Sequence, residues 1–242
     1  MNELIQLICA HRSIRKFTPE PLTQAQVDAI LAAAQAASTS SYLQATSIIR
    51  VTDQDKRRTL AACAGNQTWV EEAPEFWVWC ADFYRHLQVA PQAKLGFAEQ
   101  LLIGSIDTAL MGQNALLAAE AMGLGGVFIG GLRNDPDGVV EVLELPRHVL
   151  PLFGLCLGYP AQDPSPRPRL PTALVVHENR YTNALNSEAL EEYDAQVRAY
   201  YASRAGSDGR EMSWSEQIAA TLAKESRPHI RAFLQRQGFD QR

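Results

Sequence analysis

Apolar and polar positions along the chain follow two rhythms, one helical and one of short continuous apolar runs. The run Leu4-Ile5-Gln6-Leu7-Ile8-Cys9-Ala10 predicts a short helix over residues 3–10. Thr23-x-x-Gln26, after Pro21, is a capping-box start and predicts a second helix reaching about Ala37. The hydroxyl run Ser38-Thr39-Ser40-Ser41 is then a loop. Ser47–Val51 reads as a β-strand, Thr52-x-x-Asp55 caps a third helix, and Gly65 ends it. Glu75–Cys80 is the second strand, and a long helix runs from about Ala93 to Met122, where Gly123 stops it. Gly126–Gly131 is a brief strand breaking into glycines, and Val149–Gly158 is another buried strand. Residues 160–171, PAQDPSPRPRLP, hold five prolines and so form an extended arm. From Ser187 onward the tail is helical in three pieces. Helices and strands mix without a strict βαβ alternation, which predicts an α+β fold with helices on a mixed sheet. With neither an internal repeat nor a composition break, one domain over 1–242 is expected, with a flexible loop at about 202–214.

One stretch has the length of a membrane span. LLIGSIDTALMGQNALLAA, residues 101–119, carries Asp107 as its only charge. Asp107, Gln113 and Asn114 sit in its middle, where hydrocarbon penalises them, and Glu99 and Glu120 bracket it. It reads as a buried helix of a soluble protein. A helix apolar nearly all round must be covered on every side, and a subunit interface does this well, so an oligomer is expected.

Composition adjusts this picture only slightly. A chain of 242 residues with 46% hydrophobic and 20% charged residues is ordinary for a globular enzyme. The net charge of -5 argues against a general nucleic-acid binder. Cys9, Cys63, Cys80 and Cys156 form no CxxC pair and no dense framework, so neither a zinc cluster nor a disulfide scaffold is expected, and a reducing cytoplasm is the default. The start, Met-Asn-Glu-Leu, has no basic region leading into a long apolar stretch, so no signal peptide is expected.

Against that acidic background, His11-Arg12-Ser13-x-Arg15-Lys16 is a local cationic cluster. It reads either as a solvated helix end complementing the helix dipole or as a phosphate pocket, since Arg forks and a hydroxyl within five residues suit phosphate oxygens. Arg167 and Arg169 on the proline arm form a second pair, which either completes such a pocket or decorates a linker. Gly130-Gly131 at a strand end permits either a tight turn or close approach of backbone to a flat ligand. Arg204 and Arg210, in the Gly/Ser-rich stretch 202–214, either solubilise a loop or grip a second phosphate. GLGGVFIGG does not match GxGxxG, and there is no P-loop, no GxSxG elbow and no HExxH. The five histidines, at 11, 86, 148, 177 and 229, lack metal-ligand spacing, so no metal is expected.

Taken together, HRSIRKFT, the hydroxyl run followed by Leu43-Gln44, Gly65-Asn66-Gln67, EFWVWCADFYRH, GLGGVFIGGLRN, LFGLCLG, RPRLP, VVHEN and KESRP resemble the oxygen-insensitive NADPH nitroreductase and NADPH-flavin oxidoreductase family, in order and across essentially the whole chain. The resemblance implies a nitroreductase-like fold, an intertwined homodimer and one FMN per subunit in the dimer crevice. It implies that His11, Arg12 and Ser13 hold phosphate and ribityl groups, and that Arg15 and Gln67 meet the polar edge of the flavin, Arg15 as charge partner. It further implies that Phe128, Ile129, Gly130 and Gly131 line the ring, that Arg167 and Arg169 close on the phosphate, and that Arg204 and Arg210 grip the 2′-phosphate of NADPH. Thr39 stands where the family commonly has serine, Phe128 where tyrosine is common and Arg167 where lysine is usual. The first keeps a hydroxyl and the last a charge, while Phe128 alters polarity beside the ring. The implied activity is NADPH-dependent reduction of nitroarenes and quinones by a ping-pong route, with the flavin carrying the chemistry. Two alternatives are a flavin reductase releasing reduced FMN and a flavin-binding protein without turnover.

Overall fold

A computed structural model of the chain describes residues 1–203 and 212–240. The chain divides into two compact units, where composition shows no break: Met1–Pro164 with the segment from Arg227 onward, and Ser165–Ser226. The division falls within the proline arm.

The first unit begins with α1 (Glu3–Cys9) and α2 (Gln24–Gln35), the latter closed by the expected Thr23/Gln26 capping box. There follow β1 (Thr46–Arg50), α3 (Gln54–Cys63), the single turn α4 (Trp69–Glu72), β2 (Glu75–Asp82) and α5 (Tyr84–Val89). The long helix α6 spans Ala98–Ala121 and leads into β3 (Gly125–Ile129), α7 (Pro136–Leu143) and β4 (Val149–Gly158). The second unit carries α8 (Ser187–Ala202) and α9 (Trp214–Leu222), and the chain then returns to the first unit as α10 (Ile230–Arg236).

Among the described residues the four strands form one sheet in the order β1-β2-β4-β3, and every pairing is antiparallel. The α+β class stands, but the expected mixed sheet is an antiparallel one. Long helix-bearing connections suit a parallel crossover and an antiparallel return equally well, and here they deliver β3 and β4 as antiparallel neighbours.

All eight residues of β2 are buried, because helices cover both faces of the sheet. Phe76, Val78 and Cys80 point into one layer with Leu60, Val70, Val127 and Ile129. Trp77 and Trp79 point into the other, with Val27 and Ile30 of α2 and Ala115 and Leu116 of α6. A third cluster joins Ala45, Phe83 and Leu150 to Phe233 and Phe239 at the C-terminal end.

Several boundaries differ from expectation for local reasons. The cap of α3 is Asp53 rather than Thr52, its carboxylate accepting from the backbone N–H of Asp55 (2.9 Å) and Lys56 (3.0 Å). The long helix starts at Ala98 rather than Ala93, because Gly96 takes φ +95° and Gln100 Oε1 accepts from the N–H of Gly96 and Phe97. Gly130 and Gly131 leave the strand and open a 3-10 turn over Gly130–Asn134. The helix α7 follows Asp135-Pro136, a capping residue with proline in the first turn.

Helix α6 is long and apolar enough to cross a membrane by length and composition. It buries Gly104, Asp107, Thr108, Gly112, Ala115, Leu116 and Ala119 against the sheet and α2. The opposite stripe, Leu102, Ile106 and Leu110, is exposed. Arg57 on α3 is 3% exposed and donates to three carbonyls, those of Val51 (2.7 Å), Ala73 (2.5 Å) and Pro74 (3.2 Å). It thereby ties β1 and the start of β2 to α3.

Candidate functional site

Edge strand β3 has an open side, and the cationic segment runs along it. Ile14 N–H donates to Gly126 O (2.9 Å), Thr18 N–H to Tyr159 O (2.9 Å), and Ala161 N–H to Lys16 O (2.9 Å). Gly125 must be glycine, since a Cβ there would meet Ile14 Cγ1 at 2.5 Å. The segment therefore lies between the edge of β3 and the exit of β4. His11 Nδ1 is 2.6 Å from Glu120 Oε1, near the end of α6. Arg12 donates to Asp163 (2.5 Å) and to Ala10 O (3.1 Å). Arg12 Nε and Glu120 Oε2 are buried without hydrogen-bond partners. Both residues line a cavity of about 220 Å³ together with His11, Ile14, Gly125 and Pro160.

A tight turn at the end of α3 is packed against the start of the 3-10 turn at Gly131. Gly65 (φ +82°) and Asn66 (φ +60°) turn the chain out of α3 and present Gln67, whose amide donates to Ala64 O (2.8 Å). Gly131 packs on that turn so tightly that a Cβ would stand 2.5 Å from Ala64 O and overlap the Gln67 amide. Arg15 lies over the Trp69 ring, 5.9 Å from its centroid, just beyond Gln67 in the chain. Phe128 is the exposed residue of β3, set edge-on to Phe153 at 5.3 Å. Ile129 is 1% exposed, so its side chain faces the core and only its backbone is left for a ligand.

Arg12, Ser13, Arg15, Gln67 and residues 128–131 thus belong to neighbouring pieces of one unit. Thr39 does not join them: it lines a separate hollow of about 300 Å³ with Ser38, Tyr42 and Gln44. Its loop is held by buried Asp107, which accepts from Ser40 N–H at 3.0 and 3.2 Å, and Ser41, Tyr42 and Gln44 all take positive φ. In the second unit, Arg167 donates to Gln217 (3.0 Å) and lies over Tyr201, while Arg169 donates to Arg167 O (3.0 Å). Arg204 and Arg210 lie outside the described residues.

Sequence reasoning missed Glu120, Asp163 and Trp69, each of which meets an expected site residue across a long stretch of chain, and Asp107, which holds Ser40 next to Thr39. It also missed Arg133, whose guanidinium donates to Leu152 O (2.5 Å) and lies within 3.2 Å of where a Gly130 Cβ would stand. Burial, with Arg227 nearby, lowers its pKa from the usual arginine value. The four cysteines are free thiols. Burial and the neighbouring Asp135 push Cys63 up to about 11, and burial raises Cys80 and Cys156 further, so these three are protonated and poorly nucleophilic at neutral pH.

Cations beside a cavity of about 220 Å³, close-packed glycine backbone, and amide and guanidinium groups suit binding of an anionic ligand rather than covalent catalysis. The sequence model of the Nitroreductase family matches residues 8–159, and that of its C-terminal domain matches 167–242. The chain is 57% identical over 239 residues to the oxygen-insensitive NADPH nitroreductase of Salmonella typhimurium, covering 99% of both chains. It is 51% identical over the full length of both chains to the NADPH-flavin oxidoreductase of Vibrio harveyi. Nitroreductase A of Vibrio parahaemolyticus superposes with a TM-score of 0.94 at 49% identity, each chain covered completely. The Vibrio harveyi NADPH:FMN oxidoreductase solved with NAD+ gives 0.93, also at 49% identity and complete coverage.

Proposed function

Because this chain belongs to the nitroreductase family, we propose that it is an NADPH-dependent, FMN-containing oxidoreductase that reduces nitroaromatic compounds and quinones with ping-pong kinetics. FMN supplies the hydride and electron transfer, and the protein binds it, orients it and offers charge at its polar edge. The observations behind the site assignment are the packing of Gly131 on Ala64 and the Gln67 amide and the Arg15–Trp69 contact two residues further along. Residues present there fit the group. Gly131 lets its backbone pack directly against Ala64 and the Gln67 amide, and Arg12 Nε is a buried donor in want of an acceptor. On this reading His11, Arg12 and Ser13 hold the phosphate and ribityl end, and Arg15 and Gln67 hold the pyrimidine edge. Phe128 and the backbone of 129–131 line the ring, and Arg167 and Arg169 serve the phosphate. The enzyme works in the cytoplasm, in keeping with its free thiols.

A second reading, a flavin reductase handing on reduced free FMN, is favoured by the relative of that activity at 51% identity. Stopped-flow reduction of the bound flavin by NADPH, then mixing with nitrofuran, quinone and free FMN acceptors, separates the two. Faster reoxidation by the nitroarene and quinone supports the first reading; preference for free FMN supports the second. A colourless protein that stays colourless with added FMN overturns both.

The functional unit on this reading is a homodimer. The stripe Leu102, Ile106 and Leu110 on α6, with Leu4, Ile5 and Ile8 on α1, leaves six large apolar side chains exposed on two helices in contact. Light scattering at micromolar concentration is expected to give twice the chain mass, and Ile106→Asp is expected to halve it. Wild-type protein that runs as a monomer with FMN bound would refute the dimer.

Arg204 and Arg210 are assigned to the 2′-phosphate of NADPH. Losing one such contact costs about 1.5–3 kcal/mol, roughly ten- to hundredfold in kcat/KM for NADPH. NADH lacks that phosphate, so its kcat/KM should hardly change in Arg204→Ala or Arg210→Ala. An equal fall for both nicotinamides would remove these residues from cofactor choice.

A further inference from the structure

Glu120 is a carboxylate with one task. Its side chain is 10% exposed, its Oε1 meets His11 Nδ1 at 2.6 Å, and its Oε2 is buried without a partner. No arginine or lysine pairs with it among the described residues. A carboxylate taken out of water on these terms is costly, and its single hydrogen bond is spent on the imidazole. A carboxylate oxygen accepts, so the contact puts a hydrogen of His11 on Nδ1, and in the neutral imidazole Nε2 is then left as a lone-pair acceptor.

We infer that Glu120 is a positioning residue for the flavin, fixing His11 as the Nδ1–H tautomer so that Nε2 accepts a hydrogen bond from a ribityl hydroxyl rather than serving the phosphate. This rests on the reading of residues 11–13 given above. It divides their labour. Arg12, whose Nε is an unpartnered donor in the same cavity, serves an acceptor on the ligand, and His11 serves a donor. Such a division matches the chemistry of the two groups, since a ribityl hydroxyl can donate and a phosphate dianion cannot.

The test combines binding with a spectroscopic signature. Dissociation constants are measured by flavin fluorescence on diluting the holoenzyme, and again after exchange of FMN for riboflavin, which keeps the ribityl chain and lacks the phosphate. Glu120→Leu is expected to weaken both flavins by the same factor, about five- to tenfold. Glu120→Gln, whose amide oxygen can still accept from Nδ1–H, is expected to stay within about threefold of wild type. In ¹⁵N spectra of the holoenzyme, His11 should show the Nδ1–H tautomer in wild type and Glu120→Gln and lose it in Glu120→Leu. Weakening of FMN alone by Glu120→Leu would assign His11 to the phosphate and overturn the inference, as would an Nε2–H tautomer in the wild type. His11→Ala variants that bind both flavins as wild type does would instead sink the underlying placement of His11.

Discussion

Replacing Arg57 with methionine should lower the unfolding free energy by about 3–5 kcal/mol, since it leaves two or three buried carbonyls unpaired at about 1–3 kcal/mol each. The guanidinium donates to the carbonyls of Val51, Ala73 and Pro74. Methionine replaces much of the apolar stem, so the loss reports the hydrogen bonds rather than a cavity. The effect should reach the site as well. Residues 64–74, which present Gln67 and Trp69, are anchored at their far end by these bonds, so FMN should bind more weakly in the folded variant. Urea unfolding with FMN at a fixed concentration measures the first effect, and flavin release on dilution the second. A shift below about 1 kcal/mol would mean that the carbonyls find other partners.

Gly131→Ala is expected to damage flavin binding out of proportion to its size. The added methyl would stand 2.5 Å from the carbonyl oxygen of Ala64 and on top of the Gln67 amide, and the carbonyl belongs to the helix end, which cannot swing aside. The turn must open or the Gln67 side chain must leave. Overpacking of this kind costs about 1–3 kcal/mol, and if most of it falls on the bound state FMN affinity drops roughly ten- to hundredfold. Gly130→Ala supplies the contrast. Its methyl would meet only the guanidinium end of the Arg133 side chain, at 3.2 Å, so a loss within about threefold is expected from the smaller adjustment. Equal losses in the two variants would indicate a general effect of filling the 3-10 turn rather than the Gly131–Gln67 contact.

Much of the fold was legible in the chain because its signals are local. The Thr23/Gln26 box, the apolar run of β2 and the prolines of the arm each act within a few residues, and each produced the expected element. Strand direction was not legible, because the same helix-bearing connection serves either sense. At the site, residue types in short clusters were enough to nominate Arg12, Arg15, Gln67 and the glycines. Their partners were not, since His11 meets Glu120 only because α6 ends beside the edge of β3. The separate hollow of Thr39 was equally invisible, as it depends on where Asp107 faces along a helix that reads as apolar all round.

The return of the chain to its first unit has a consequence for synthesis. Phe233 and Phe239 complete the cluster around Phe83 and Leu150, and Gln237 donates to the carbonyls of Pro146 and Val149 at 2.8 Å. A ribosome delivers these residues only after the whole second unit has emerged. Until then the sheet lacks one wall, and a nascent chain holds an apolar surface open to chaperones and proteases. Vectorial folding therefore cannot finish domain by domain here: Phe233, Gln237 and Phe239 act as the closing clasp of the part that was made first.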